Sequence, residues 1–95
     1  MAEGHEPRPA NEIIYRDYYI TNHAVTSQSA NGAYYSPTKY DISVSGFTPI
    51  SVYITAWDNM SASVTPYIDN NVVGFISDIS LTIGSIRLRV LYINS

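Results

Sequence analysis

Nucleophilic catalysis needs a base within reach of a nucleophile, and this chain is poor in bases. Its histidines are His5, in a polar stretch containing Pro7 and Pro9, and His23, at the start of a short polar segment. No G-x-S-x-G motif occurs. Glycoside hydrolysis would need two carboxylates about 5 to 9.5 Å apart across the scissile bond. Asp58, Asp69 and Asp78 all sit beside turn signals, where Asp is favoured because its carboxylate bonds nearby backbone amides. The Asp69-Asn70-Asn71 cluster lacks the spacing and closing Glu of a calcium loop. With no cysteine there is neither a thiolate metal site nor a disulfide. The expectation is a non-enzyme with no catalytic residue, no metal and no cofactor.

The aromatic residues offer a different chemistry. Nine tyrosines and one tryptophan are many for 95 residues. Trp57 ends an alternating segment just as the polar turn Asp58-Asn59 begins. An apolar plate beside hydroxyl-binding groups suits a sugar ring, since ligand sites mix aromatic walls with a few polar groups. Tyr53, Trp57, Asp58, Asn59 and Asn70 are therefore the candidate ligand-binding residues. The competing reading is burial at a subunit contact, where Trp and Tyr are also enriched. Asn59-Met60-Ser61 additionally matches a glycosylation sequon.

The surface that would carry such a site is polar without being charged. Net charge is −3, charged residues make up 14%, and Ser, Thr and Asn are abundant. Lys39 is the single lysine, so the basic stripe that nucleic-acid binding requires is missing. No apolar run approaches the ~20 residues of a membrane-spanning helix, and the polar, Pro-containing start does not read as a secretory leader. Ser, Thr, Asn and Tyr in place of Lys and Glu suit a virion-borne or extracellular β structure.

The elements that would position these residues are strands. All glutamates lie at or before Glu12, and leucine occurs at Leu81, Leu88 and Leu91 alone. Ile, Val, Tyr and Thr dominate beyond that point, and these side chains favour pleated strands over helices. Residues 1–12 read as a polar arm or linker, and residues 13–95 as one domain. A first strand is expected from Ile13 to Thr21, with Ile14, Tyr18 and Ile20 on one face and Tyr15 and Tyr19 on the other. A short one follows from His23 to Gln28, and a single helical turn could fit between Ser27 and Gly32. The next contains Tyr40, Ile42 and Val44, with Pro37 breaking its start or confining it to an edge.

From Ile50 to Trp57 the alternation places Ile50, Val52, Ile54 and Ala56 on one face. It places Ser51, Tyr53, Thr55 and Trp57 on the other. Ala62 to Ile68, with edge-type Pro66, Val72 to Ser77 and Ile79 to Ile83 follow. A turn at Gly84 then leads into a terminal strand with Ile86, Leu88, Val90 and Tyr92 inward. The expected core is Ile42, Val44, Phe47, Ile54, Val64, Ile86, Leu88 and Val90. Seven or eight short strands joined by short turns make an all-β, antiparallel, jelly-roll-like β-sandwich.

The connection Ser45-Gly46-Phe47-Thr48-Pro49-Ile50 and the closing Ile86-Arg87-Leu88-Arg89-Val90-Leu91-Tyr92-Ile93 resemble two motifs of one family. The family is the C-terminal β-sandwich domains of phage tail-fibre and minor structural, receptor-binding proteins of phages of Gram-positive and gut bacteria. Those domains carry an S-G-[YF]-T-P-[IL] turn and end on a strand of the form T-V-x-V-L-Y-[IV]. The likeness covers Tyr40 to Ile93 and serves the backbone, so no functional residue transfers. It implies a non-enzymatic tail or baseplate domain, a homotrimer that contacts other virion tail proteins. Its task would be host adsorption through a multivalent surface, with a cell-surface glycan as partner. The alternative is a carbohydrate-binding module of a bacterial surface or secreted protein. Leu91 and Ile93, opposite the inward row, agree with a second cover on the terminal strand. A two-layer monomer covers one face of each sheet, so a neighbouring subunit or the arm would supply that cover.

Overall fold

A computed structural model describes residues 12–57 and 64–94. Eight strands form two antiparallel sheets stacked as a small β-sandwich. They are β1 (Ile13–Val25), β2 (Ser27–Gln28), β3 (Tyr34–Tyr35), β4 (Tyr40–Asp41), β5 (Phe47–Trp57), β6 (Val64–Asp69), β7 (Val72–Ser77) and β8 (Leu81–Asn94). One sheet has the order β1-β8-β5. The other is built on β7, which pairs with β6 along its length and with β3 and β4 at separate points, β2 extending it beyond β3.

The terminal strand behaves as its alternation predicts. Ile86, Leu88, Val90 and Tyr92 are buried, facing Ile42, Val73 and Phe75 of the second layer. Tyr92 is the largest fully buried side chain, and its hydroxyl finds partners, as a buried phenol must. It donates to the Ile42 carbonyl at 2.6 Å and lies 2.5 Å from the Tyr18 hydroxyl. Val44, Phe47, Ile54 and Val64 pack against this centre half-buried.

The first strand is longer than expected. His23 to Val25 continue β1, and Gly84 lies inside β8 where a turn was expected. Asn22 and Gly84 explain both differences. Ile20 and Ile86 are a buried pair, and further along the buried Val25 pairs with the half-buried Leu81, both facing inward. Strict alternation cannot bury both pairs, since two residues separate Ile20 from His23 and Ile83 from Ile86. Asn22 adopts φ 51°, a conformation Asn tolerates better than most residues. The ladder turns there, so inward positions pass from even to odd numbers on both strands. His23 then reaches the second layer, its ring edge-on to Phe75 at 5.4 Å. Desolvation holds the His23 imidazole below its ordinary pKa.

The β5 strand corrects the expected faces. Its pairing with β8 shifts between Pro49 and Ser51 and again between Ile54 and Ala56. Each shift is a bulge that inserts one residue and reverses the inward–outward order beyond it. Ile50, expected inside, is 49% exposed, and Ala56 is exposed as well. Trp57, expected beside Tyr53, lies opposite Ile86 on the core face with Val52 and Ile54.

Pro37 acts as a strand breaker. β3 and β4 are two pieces of one run along β7, separated at Ser36 to Lys39. Ser36, buried at the break, donates its backbone N–H to the Phe75 carbonyl, and its hydroxyl accepts from the Phe75 N–H. The break therefore leaves no Phe75 backbone group unpaired. Pro66 lies on β6, which among the described residues pairs with β7 alone. The expected helical turn is a hairpin turn between β2 and β3, where Gly32 donates to the Ser29 carbonyl at 3.1 Å.

Glycine is required at Gly46 and at Gly74 for different reasons. Gly46 has φ 81° at the third position of the Val44–Phe47 turn, which Phe47 N–H closes onto the Val44 carbonyl. A type II turn demands positive φ there. Gly74 faces Tyr67 across the ladder, and a Cβ at that position would fall 2.6 Å from the ring.

Candidate functional site

The outer surface of the β1-β8-β5 sheet concentrates exposed aromatic and apolar groups. Six large hydrophobic side chains are exposed among the described residues, and five belong to this sheet: Ile13, Tyr15, Tyr19, Ile50 and Tyr53. The sixth, Ile79, is in the β7–β8 connection. Alternation on β1 makes Ile13, Tyr15, Asp17 and Tyr19 one outward row. The register sets them beside Ile93, Leu91, Arg89 and Arg87 respectively. Tyr53 flanks Arg89 from β5.

This surface has two chemically distinct ends. One is aliphatic, with Ile13, Ile93, Leu91 and Tyr15 adjacent. The other is built from tyrosine and arginine. Arg89 stacks on the Tyr15 ring with its guanidinium carbon 4.1 Å from the centroid. It also donates two hydrogen bonds to Asp17, at 2.8 and 3.0 Å. Those bonds hold the Asp17 carboxyl below the usual carboxylate range and raise the Arg89 pKa, to which Tyr53 adds. Arg87 repeats the stacking over Tyr19 at 4.7 Å. Among the described residues no carboxylate pairs with Arg87.

Beside Arg87 the second β5 bulge opens a hollow of about 240 Å³ lined by Tyr19, Ala56, Trp57, Ser85, Ile86 and Arg87. The bulge is the cause, because it sets the small Ala56 opposite Arg87 and rotates Trp57 toward the core. The Trp57 indole nitrogen is buried and has no hydrogen-bond partner among the described residues.

The five residues selected from sequence are not one cluster among the described residues. Tyr53 is outward and 44% exposed, while Trp57 is inward and half-buried. Asn70 forms the β6–β7 turn in the other sheet, with φ 58°. That turn is at the far end of β6 from Val64, where the chain arrives after Trp57. Asp58 and Asn59 lie outside the described residues. Tyr19, Arg87 and Arg89, which the geometry adds as candidates, were not among the five. The signal for them was present: Arg87 and Arg89 interrupt an apolar strand at alternate positions, which puts two guanidiniums on one face.

Trp57 therefore carries structure as well as surface. Trp57→Ala is expected to lower stability by about 1–3 kcal/mol, below the 3–5 typical of a fully buried aromatic. The midpoint of denaturant unfolding checks this. Among the described residues no group of three or more His, Asp or Glu could hold a metal ion. Comparison with protein-family models, with curated proteins and with solved structures returns no match.

Proposed function

We propose that this chain is a non-catalytic display domain of the phage-tail type that its turn and terminal-strand motifs resemble. It assembles as a homotrimer and presents a tyrosine-rich surface to a host-cell glycan. The observation that supports this reading is the outer surface of the β1-β8-β5 sheet. Its aliphatic end supplies a subunit contact, and its tyrosine–arginine end is left to face a ligand. Linked copies raise apparent affinity by about 10² to 10⁴ without any new contact, provided the geometry permits simultaneous engagement. A shallow, weak site is sufficient for such a device.

A second reading is a free-standing carbohydrate-binding module, for which the hollow beside Arg87 would serve as the ligand site. Light scattering separates the two. The trimer reading expects three times the chain mass at micromolar concentration. Leu91→Lys should reduce that to a monomer with an unchanged circular dichroism spectrum, because Leu91 points away from the sandwich core. A wild-type monomer would remove the trimer and leave the module. Retention of the protein on host cells or isolated cell-wall glycan tests the binding role itself.

A further inference from the structure

We propose that the hollow bounded by Tyr19, Ala56, Trp57 and Arg87 binds a single anionic sugar ring, whose carboxylate or phosphate is taken by Arg87. The inference rests on the glycan-display reading and gives it a ligand class and an anchoring residue.

The molecule contains its own control. Arg87 and Arg89 are two residues apart on one strand, share the outer face, and both stack on a tyrosine, at 4.7 and 4.1 Å. Arg89 is neutralised by Asp17 through two hydrogen bonds. Arg87 has no described carboxylate partner, yet it is the arginine that borders the hollow. Stacking occupies the face of a guanidinium and leaves its in-plane N–H groups for bidentate recognition of a carboxylate or phosphate. The stack also limits the rotamers of Arg87, so less freedom is lost on binding.

The rest of the lining suits a sugar. Tyr19, 56% exposed, lines it from β1, and Ala56, Trp57 and Ile86 complete the lining. At about 240 Å³ the hollow is smaller than the roughly 300–1,000 Å³ of drug-sized pockets. It takes one ring, with the rest of a polymer outside. Ala56 leaves the space open, so a larger side chain there should close it while Arg87 stays in place.

Trp57 is the single tryptophan, so its fluorescence reports on the hollow directly. The full chain is titrated with glucuronic acid, glucose 6-phosphate, glucose and inorganic phosphate, each to about 20 mM, above the ~1 mM scale of a weak single site. A saturable change with one or both acidic sugars and none with glucose is expected, and which acid binds identifies the source of the charge. Arg87→Gln should weaken binding roughly tenfold or more, as loss of a charge-assisted bidentate contact does. Ala56→Leu should block the hollow and abolish the response. Both variants should keep the wild-type melting temperature.

Equal binding of glucose, undiminished binding by both variants, or no response to either acidic sugar overturns the proposal. Inorganic phosphate binding as tightly as glucose 6-phosphate marks an adventitious ion only and also overturns it. Cell adsorption is measured in parallel. If Arg87→Gln adsorbs like wild type, this site is wrong and the display reading stands. If wild type itself does not adsorb, the display reading fails, and the titration decides the hollow separately.

Discussion

Leu88→Ala is expected to destabilise the protein by about 2–5 kcal/mol, the cost of removing a buried Leu from a core that relaxes only partly. Leu88 is fully buried on the middle strand of the β1-β8-β5 sheet. It pairs with Tyr18 on one side and Ile54 on the other. Neither pairing can close over the lost side chain without breaking a ladder. Equilibrium urea unfolding should show a lower midpoint with an unchanged slope. A loss under about 0.5 kcal/mol, the range of surface substitutions, would contradict this placement.

Removal of Tyr92 should be comparably damaging, and its hydroxyl can be separated from its ring. Tyr92→Ala is expected to cost about 3–5 kcal/mol, as other buried aromatics do. Tyr92→Phe keeps the ring but removes the 2.6 Å donor to the Ile42 carbonyl, which retains the Tyr18 hydroxyl at 3.4 Å, a loss of about 0.5–1.5 kcal/mol. The phenol also makes stability pH-dependent. Burial, with the Tyr18 hydroxyl adding to it, raises the Tyr92 pKa well above the ordinary value near 10. Above that pH the unfolded chain releases the proton and the folded chain keeps it. The contribution is therefore complete below about pH 10 and is lost above it, by up to about 1.4 kcal/mol per pH unit. Denaturant titrations from pH 8 to 11 should show this loss for wild type, and a shallower one for Tyr92→Phe.

The sandwich was legible because β8 keeps a period of two from Ile86 to Tyr92, and because Gly32, Gly46 and Asn70 mark turns between strands. Regularity is also what misled the reading of β5. Nothing in Pro49-Ile50-Ser51 or Ile54-Thr55-Ala56 announces an inserted residue, so period-two reasoning carried Trp57 to the wrong face. The ladder decides such insertions: β5 must keep pairing with a β8 whose own inward row is already committed to the core. The same holds for Asn22, whose left-handed conformation is intelligible only once Gly84 and Ser85 lie opposite. The site suffered accordingly. Tyr53 and Trp57 looked like neighbours by counting, whereas Tyr19 and Arg87 became neighbours only when β1 met β8.

That meeting joins the first strand to the last, and it fixes the order in which a growing chain can settle. β8 is the shared partner of β1 and β5, and it leaves the ribosome after both. Until then β1 and β5 hold unpaired backbone edges and several exposed tyrosines and isoleucines, while β6 and β7 can already form a hairpin. The main sheet is therefore completed only once β8 is available, in one late step dominated by distant pairings, the kind of topology that folds in milliseconds to seconds rather than microseconds. In that interval neighbouring nascent chains on one message carry matching unpaired strands at high local concentration. Pairing between them is the aggregation hazard that this topology creates.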